Sequence, residues 1–408
     1  MNEVRRGSGS HGRRASYVTA LSCPRCGARH WPREVHGTCS CGSPLLVEYD
    51  LDAVAAAVTP RDVQTRAPTM WRYRELLPVG DEDRIIWLGE GMTPLLRLDA
   101  LASRTGCGHL YVKDEGPNPT GTFKARGAAC GVTMAAALGL RDVALPTAGN
   151  AGAAWACYGA AAGLRVHIAM PSSTPELVQL ECRLHGADVS IVPGLLPEAA
   201  HFVAERSREA GWFDVATLRE PYRLEGKKSL AFEIAEQLQW SMPEVVIYPA
   251  GGGVGILGIW RALQQLKEVG WVQGPLPRLV VVQPTGCAPI VRAFEEGLDE
   301  SRRWNSPSSI ASGLVVPKAL GDFLVLRAIR DTGGTAVAVS DDDILGSIAL
   351  LARSSGILAC PEGAATLAAL LALLDDGRIA RDERIVLINT GSGLKYRGAM
   401  RRATLGGA

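Results

Sequence analysis

Along most of this chain, short runs of consecutive apolar residues alternate with longer segments whose apolar residues recur at helical spacing. From about Ile85 onward the pattern predicts strands at residues 110–112, 143–146, 166–170, 189–192, 245–249, 279–283 and 385–389. It predicts helices at residues 128–138, 151–162, 198–210, 230–238, 256–269 and 364–374. Several strand runs are apolar at almost every position, as in parallel strands that are covered on both faces. The alternation therefore predicts an α/β protein.

Three polar segments lie outside this pattern. The start of the chain is basic and rich in Ser and Gly, with no apolar stretch after its charges, so we predict a disordered arm over residues 1–20 and no secretory signal. Residues 299–309 are polar and turn-rich, which predicts a surface loop, and residues 401–408 are expected to form a tail.

Composition narrows the range of partners. The 408 residues are 47% hydrophobic and 21% charged, and the formal net charge is +1. This balance is typical of a globular protein and gives no electrostatic footprint for nucleic acid, while no apolar run is long enough to cross a membrane. Six isolated cysteines indicate buried thiols in a reducing compartment, so we expect a cytoplasmic protein that acts on a small molecule.

Four further cysteines form a cluster near the start of the chain. Twelve residues separate the pair Cys23 and Cys26 from the pair Cys39 and Cys41. This pattern resembles the two knuckles of a structural zinc site and predicts a zinc-ribbon-like module over residues 21–50. The second pair is one residue closer than usual, which leaves open a small hairpin without metal. His30 and His36 lie between the pairs as possible substitute ligands.

A single lysine stands out in the loop Glu115-Gly-Pro-Asn-Pro-Thr-Gly-Thr-Phe-Lys124-Ala-Arg126-Gly127. Lys124 falls where the following helix begins, and the positive end of a helix dipole favours the neutral amine. A neutral amine is the form that makes a Schiff base with a carbonyl group. The alternative is an ordinary surface lysine.

A second loop, Gly251-Gly-Gly-Val-Gly255-Ile-Leu-Gly258, follows a predicted strand and leads into a helix. Free backbone N–H groups at such a turn bind phosphate. The glycines also fit a dinucleotide fingerprint, but the next strand ends at Gln283 without the acidic residue that would hold a ribose. The loop therefore predicts a phosphate site rather than a nicotinamide site.

Two polar turns, Thr147-Ala-Gly-Asn150 and Asn389-Thr-Gly-Ser-Gly393, come directly after predicted strands. Ligands of open α/β sheets gather at the carboxyl ends of the strands. One lysine, one phosphate loop and two polar turns together predict a phosphorylated carbonyl cofactor, and pyridoxal 5'-phosphate (PLP) meets that description.

These segments resemble the threonine synthase family of PLP enzymes and, more loosely, threonine dehydratase and the tryptophan synthase β chain. The motifs that carry the resemblance are Asn118-Pro-Thr-Gly-Thr-Phe-Lys124, Pro221-Tyr-Arg-Leu-Glu-Gly-Lys-Lys228, Pro249-Ala-Gly-Gly-Gly-Val-Gly255, Gln283-Pro-Thr-Gly-Cys-Ala-Pro289 and Thr390-Gly-Ser-Gly-Leu-Lys395. They occur in the family's order, and the Cys-rich N-terminal module is also common in the family. The resemblance implies the tryptophan synthase β-like fold (fold type II), with two open α/β domains and the cofactor between them. It divides the chain into a first part of the large domain (51–127), a small mobile domain (128–224) and the rest of the large domain (225–400), usually as a homodimer.

The resemblance also implies roles for individual residues. Lys124 would form the Schiff base with the cofactor and act as the main acid and base. The cofactor-binding residues would be Phe123, Asn150 at the ring hydroxyl, Gly251, Gly252, Gly253, Val254 and Gly255 at the phosphate, and Thr390 at the ring nitrogen. The substrate would contact Thr147, Ala148, Gly149 and Arg223.

The implied reaction is the conversion of O-phospho-L-homoserine and water to L-threonine and phosphate. The chain departs from the family's common residues at five positions: Ala125 stands for Asp, Ala148 for a hydroxyl residue, Gly252 and Gly255 for asparagines, and Glu220 for Asn. Arg223, Lys227 and Lys228 remain as candidate cations for a substrate phosphate. Another β-elimination or β-replacement enzyme that acts on serine, threonine or an activated serine is the alternative within the fold. A nicotinamide-dependent dehydrogenase and a binding protein without catalysis are the alternatives outside it.

Overall fold

The computed structural model describes residues 16–80 and 83–405. The strands are β1 Val18–Ser22, β2 Arg29–His30, β3 Leu46–Tyr49, β4 Leu95–Arg97, β5 His109–Asp114, β6 Asp142–Pro146, β7 Arg165–Pro171, β8 Asp188–Val192, β9 Phe213–Asp214, β10 Val245–Pro249, β11 Arg278–Pro284, β12 Thr335–Val339 and β13 Arg384–Asn389. The helices are α1 Leu51–Ala57, α2 Pro60–Gln64, α3 Asp99–Thr105, α4 Lys124–Ala137, α5 Asn150–Ala162, α6 Glu176–Leu184, α7 Leu196–Ala210, α8 Tyr222–Gln237, α9 Val254–Glu268, α10 Pro289–Glu295, α11 Asp322–Asp331, α12 Asp341–Ser355, α13 Pro361–Asp375 and α14 Arg397–Leu405. Short 3-10 helices span Met70–Leu76, Pro119–Gly121, Ser312–Leu314 and Gly393–Lys395.

The largest sheet has six strands in the order β12-β11-β10-β13-β5-β4. Five strands run parallel, and β4 pairs antiparallel at the edge. One face packs against a core formed with α8, α9, α10 and α11, and the other face packs against α3, α12 and α13. Coverage on both faces explains why strands such as β10 are apolar throughout.

A second sheet has four parallel strands in the order β8-β7-β6-β9. Helices α4, α5 and α6 contribute to the core on one side, and α7 packs with a smaller apolar cluster on the other. Two open parallel sheets, each covered by helices, agree with the α/β fold class predicted from the sequence.

A small antiparallel sheet, β2-β1-β3, forms the N-terminal module. Strand β1 begins at Val18, which pairs with Tyr49, so the predicted disordered arm ends too late at residue 20. The remainder of that prediction, over residues 1–15, lies outside the described residues. The predicted tail is also partly wrong, because α14 runs to Leu405 and buries Ala403 against the large core, while residues 406–408 lie outside the described residues.

The structure contains all seven predicted strands and all six predicted helices. The helices begin earlier than predicted, most of all α8, which starts at Tyr222 rather than at residue 230. Residues 299–309 contain neither helix nor strand, as predicted. The sequence pattern did not predict β12 or α12.

Both predicted boundaries of the small domain fall inside continuous helices. The boundary after residue 127 lies in α4 and the boundary after residue 224 lies in α8, and these two helices pack against each other. The division into a large and a small mobile domain remains a prediction. Within the described ranges, no helix is long and apolar enough to cross a membrane.

Candidate active site

A cavity of about 950 Å³ lies where strands of both parallel sheets end. The turn after β6, the glycine loop after β10, the first turn of α4 and Thr390 after β13 all contribute to its wall. The sequence-predicted lysine, phosphate loop and two polar turns therefore meet at one place, although Lys124 and Thr390 are 266 positions apart by their residue numbers.

Lys124 is the first residue of α4, and its Nζ lies 4.4 Å from the ring centroid of Phe123. Burial, and secondarily the cation of Arg223, lower the pKa of Lys124 to about 8. From the sequence we expected the helix dipole to favour the neutral amine of Lys124. In the structure, burial of the side chain is the main cause of its lowered pKa. The amine is therefore much more often neutral near pH 7 than that of an exposed lysine.

A fully buried network of ion pairs lies just behind this lysine. The Arg126 guanidinium contacts the carboxylates of Glu115 at 2.6 Å and Glu233 at 2.5 Å, and Lys113 contacts Glu233 at 2.7 Å. Because each charge has opposite partners, the two cations and two anions stabilise one another inside the protein. The network fixes the α4 backbone two residues from Lys124.

The glycine loop requires glycine for close packing. Gly253 has φ 81°, and a Cβ at Gly255 would overlap the hydroxyl of Tyr248, which fills the space that a side chain would need. Helix α9 begins at Val254 without a side-chain cap. Its first N–H groups therefore remain available to the cavity, as a phosphate group requires.

Asn150 begins α5 and faces the cavity, where its Nδ2 donates a hydrogen bond of 2.9 Å to Oη of Tyr396. Beside it, Thr147 Oγ1 accepts a hydrogen bond of 3.1 Å from the N–H of Gly149. Ala148 also lines the wall and offers no hydroxyl. Tyr396 was not predicted as a site residue, because it comes several residues after the polar turn that follows β13.

Two residues near Thr390, one of them on the cavity wall, were not predicted as site residues. Cys360 Sγ lies 3.3 Å from Thr390 Oγ1 and also caps α13. Glu362 accepts a hydrogen bond of 2.8 Å from the N–H of Gly313, and its Oε2 is buried without a partner among the described residues. Glu362 is the one carboxylate among the described residues that line the cavity. The Pro361 that starts α13 was the available signal for a helix N-terminus here.

Arg223, in the first turn of α8, is buried and reaches the cavity wall. Its guanidinium donates to Thr217 Oγ1 at 3.2 Å and to the carbonyl of Val215. Nε makes no hydrogen bond among the described residues and forms an ion pair with Glu220 Oε1 at 3.7 Å. The guanidinium carbon lies 5.2 Å from the ring of Trp155. Glu220, which stands for the family's Asn, accepts from the N–H groups of α8 and so caps that helix.

Two other candidate cations do not reach the cavity. Lys227 donates to the carbonyl of Phe123, and Lys228 pairs with Glu225 at 2.6 Å inside the core. The expectation that these lysines add to a cationic pocket is wrong, because α8 turns both toward buried acceptors. Arg303, in the loop of residues 299–309, lines the wall instead.

The four N-terminal cysteines lie together, apart from this cavity. The Sγ atoms of Cys23, Cys26, Cys39 and Cys41 are all within 4.8 Å of one another. His30 and His36 contact each other, with ring centroids 5.0 Å apart, and do not belong to this group of ligand atoms. The short spacing of the second cysteine pair is therefore no obstacle to clustering.

Comparison with known proteins agrees with this geometry. The family described as pyridoxal-phosphate dependent enzyme matches residues 86–391. The chain is 38% identical over 383 residues to the threonine synthase of Methanocaldococcus jannaschii, covering 94% of each chain, and 37% identical over 377 residues to that of Methanosarcina acetivorans, covering 92% of each. A threonine synthase of Mycobacterium tuberculosis is 33% identical over 324 residues, which are 79% of this chain and 87% of the relative.

Solved structures show the same fold. Threonine deaminase isoform 2 of Solanum lycopersicum superposes with a TM-score of 0.65 at 23% identity over 78% of this chain and 88% of its own. Maize serine racemase gives a TM-score of 0.63 at 20% identity, over 77% and 93% of the two chains.

The chain therefore belongs to the pyridoxal-phosphate dependent enzymes and, within them, to the threonine synthase-like branch. The predicted family, fold type II and PLP cofactor are confirmed. The open N-terminus of α9 and the lysine of lowered pKa on the same cavity are the features that this cofactor needs.

Proposed function

We propose that this enzyme is a threonine synthase, which converts O-phospho-L-homoserine and water to L-threonine and phosphate. The observation that carries the proposal is the meeting of Lys124 and the uncapped start of α9 at one cavity, in a chain related over 94% of its length to a threonine synthase. Neither a nicotinamide-dependent dehydrogenase nor a binding protein without catalysis would require a lysine at the position of Lys124.

Four elements of the wall would hold the cofactor. The N–H groups of the loop formed by Gly251, Gly252, Gly253, Val254 and Gly255 would bind its phosphate, since the helix dipole favours an anion there. Asn150, with its amide oriented by Tyr396, would bind the ring hydroxyl. Thr390 would contact the ring nitrogen, and Phe123 would flank the ring.

Lys124 would carry the cofactor covalently and, once displaced by the substrate amine, would remove the Cα proton of the amino acid. A pKa of about 8 suits this role, because the released amine is neutral for a useful fraction of the time. The bound cofactor supplies the electron sink for the negative charge left on the substrate. In the complete reaction, Cβ loses a proton, phosphate leaves Cγ, and Cγ gains a proton to become the methyl group. Water then adds its hydroxyl to Cβ and releases its remaining proton.

Arg223 would bind the phosphate group of the substrate. Its guanidinium is always charged and lines the cavity wall, and its Nε makes no hydrogen bond among the described residues, with Glu220 Oε1 at 3.7 Å as an ion-pair partner. Thr147, Ala148 and Gly149 would lie along the rest of the substrate, with their N–H groups as the main donors.

Ala148 favours a second reaction, because the hydroxyl residue that the family commonly has at this position is absent from the turn expected to bind the substrate. On this alternative the enzyme eliminates or replaces a β substituent of serine, threonine or O-phosphoserine. The deciding experiment offers O-phosphohomoserine, O-phosphoserine, threonine and serine side by side and follows phosphate, oxo acids and amino acids. Threonine formed only from O-phosphohomoserine supports the proposal, and turnover of another substrate with that one inert overturns it.

We also propose that the enzyme works as a cytoplasmic homodimer. None of the ten cysteines, all of which lie in the described ranges, forms a disulfide, as expected in a reducing compartment. The dimer rests on the family resemblance, and light scattering of the purified enzyme tests it.

A further inference from the structure

The four clustered cysteines have the geometry of a tetrahedral metal site. Cys23 Sγ lies 3.5 Å from Cys41 Sγ, and Cys26 Sγ lies 3.6 Å from Cys39 Sγ. Four thiolates at about 2.3 Å from zinc lie about 3.8 Å from one another. Four sulfur donors and no open position are typical of a structural zinc ion.

Each cysteine pair sits in a tight turn, although the two spacings differ. The first turn is closed by a hydrogen bond of 3.0 Å from the N–H of Gly27 to the carbonyl of Cys23, and the second by one of 2.8 Å from Gly42 to Cys39. Both glycines have positive φ, 73° and 83°. The backbone therefore presents the two pairs to each other as two matching turns.

Residues 27–38 form the loop between the pairs, and this loop contacts the start of α8. The hydroxyl of Tyr222 donates a hydrogen bond of 2.7 Å to the carbonyl of Pro32, and both groups are buried. Gly37 lies close to Arg219, because a Cβ atom added to Gly37 would be 3.2 Å from the carbonyl oxygen of Arg219. Tyr222 immediately precedes Arg223.

The first cysteine turn contacts the loop of residues 299–309. Arg25, between Cys23 and Cys26, pairs with Glu300 at 2.6 Å and lies 3.9 Å from the ring centroid of Phe323. Glu300 belongs to the loop of residues 299–309, which carries Arg303 to the cavity wall. The N-terminal module thus contacts Tyr222, which is next to Arg223 in sequence, and Glu300, which belongs to the loop that carries Arg303.

We propose that Cys23, Cys26, Cys39 and Cys41 bind one zinc ion and that this ion, by closing the loop of residues 27–38, holds Arg223 in position for an anionic group of the substrate. The zinc part stands on the cysteine geometry alone, and the positioning part rests on the proposed anion-binding role of Arg223. Arg223 is the binding residue, and Tyr222 is a positioning residue.

Metal analysis of the purified holoenzyme tests the first part. We expect about one zinc per chain, its loss in the Cys39→Ser/Cys41→Ser double variant, and a thiolate-to-metal absorption band when cobalt replaces zinc. The PLP absorbance should stay as in the wild type, because the cluster lies apart from the cavity. Holoenzyme without zinc overturns the proposal.

Tyr222→Phe tests the second part and keeps the fold, because the ring stays and only the hydroxyl is removed. Loss of one neutral hydrogen bond predicts about three- to tenfold weaker binding of inorganic phosphate, measured by calorimetry on the holoenzyme, with zinc content unchanged. With O-phosphohomoserine, KM should rise by the same factor while kcat stays within about twofold. Tyr111→Phe, in β5, is the matched control and should change neither value.

The outcomes separate this inference from the proposed function. Phosphate affinity that is unchanged in both Tyr222→Phe and the zinc-free double variant overturns the positioning role, whichever amino acid is the substrate. Absence of threonine among the products overturns the proposed function and leaves the zinc and phosphate measurements standing.

Discussion

The amide of Asn150 and the hydroxyl of Tyr396 are joined by a hydrogen bond of 2.9 Å across 246 positions of sequence. Asn150 begins α5, which packs beside the four-stranded sheet, and Tyr396 follows β13 of the six-stranded sheet. This bond links the two sheets directly at the cavity and fixes the orientation of an amide that would bind the ring of the cofactor.

Removing this link should weaken cofactor binding. In Tyr396→Phe the amide of Asn150 is free to rotate, and one hydrogen bond contributes about 0.5–1.5 kcal/mol, so the Kd for PLP should rise about three- to tenfold. Equilibrium dialysis or the absorbance of the bound cofactor measures it. A Kd equal to that of Tyr111→Phe would refute the positioning of Asn150 by Tyr396.

Lys124→Ala should fold and lose almost all turnover. The side chain lies at the cavity rather than in a core, while general acid–base catalysis by one group is worth about 10²- to 10⁴-fold in rate. Borohydride reduction of the wild type followed by peptide mapping should label Lys124. Label on Lys113, Lys227 or Lys228, or turnover of the alanine variant within tenfold of wild type, would contradict the assignment.

The rate at which the apoenzyme takes up PLP should depend on pH through Lys124. Only the neutral amine attacks the carbonyl, so the rate should rise with pH and level off above about 8, the pKa of Lys124. Arg223→Gln removes a cation that opposes the charged form of Lys124, so the inflection should move to higher pH. Glu362→Gln removes a carboxylate that favours the charged form, so the inflection should move to lower pH. An inflection that stays in place in both variants would show that burial alone sets the pKa.

Arg223→Ala should impair binding of a phosphorylated substrate selectively. A hydrogen bond to a charged group contributes about 1.5–3 kcal/mol, so KM for O-phosphohomoserine should rise at least tenfold. If the enzyme turns over serine, steady-state kinetics with serine provide the internal control. Serine has no phosphate group, so its KM should not depend on the proposed contact with Arg223. Equal losses for both substrates would indicate a structural role for Arg223 instead.

The sequence predicted the strands and the cavity loops well, because β10 and residues 385–388 of β13 are apolar and the loops after these strands are rich in glycine. It did worse on α8. The first turns of that helix contain Arg223, Lys227 and Lys228, which look like a solvated or ligand-binding face, yet all three are buried. Their burial depends on acceptors supplied by distant segments, such as the carbonyl of Phe123, and a one-dimensional pattern does not contain that information.

Glu362 was missed for a related reason. Nothing near it in the sequence distinguishes its carboxylate from those on exposed helices. Only the approach of Gly313 and of the loop after β13 turns it into the single described carboxylate on the cavity wall. Lys124 was found because its neighbours in sequence are also its neighbours in space.

The buried ion pairs near the start of α4 and the ion pair between Arg25 and Glu300 differ in their access to solvent. The side chains of Lys113, Glu115, Arg126 and Glu233 are 0% exposed, whereas those of Arg25 and Glu300 are 40% and 48% exposed. Mobile ions screen exposed charges over about 8 Å at physiological ionic strength and act much less on buried pairs. Added salt should therefore loosen the loop that carries Arg303 while the α4 backbone at Lys124 stays in place. Ionic strength becomes a means of changing substrate capture without changing the chemical step, with KM rising as salt is added and kcat remaining constant.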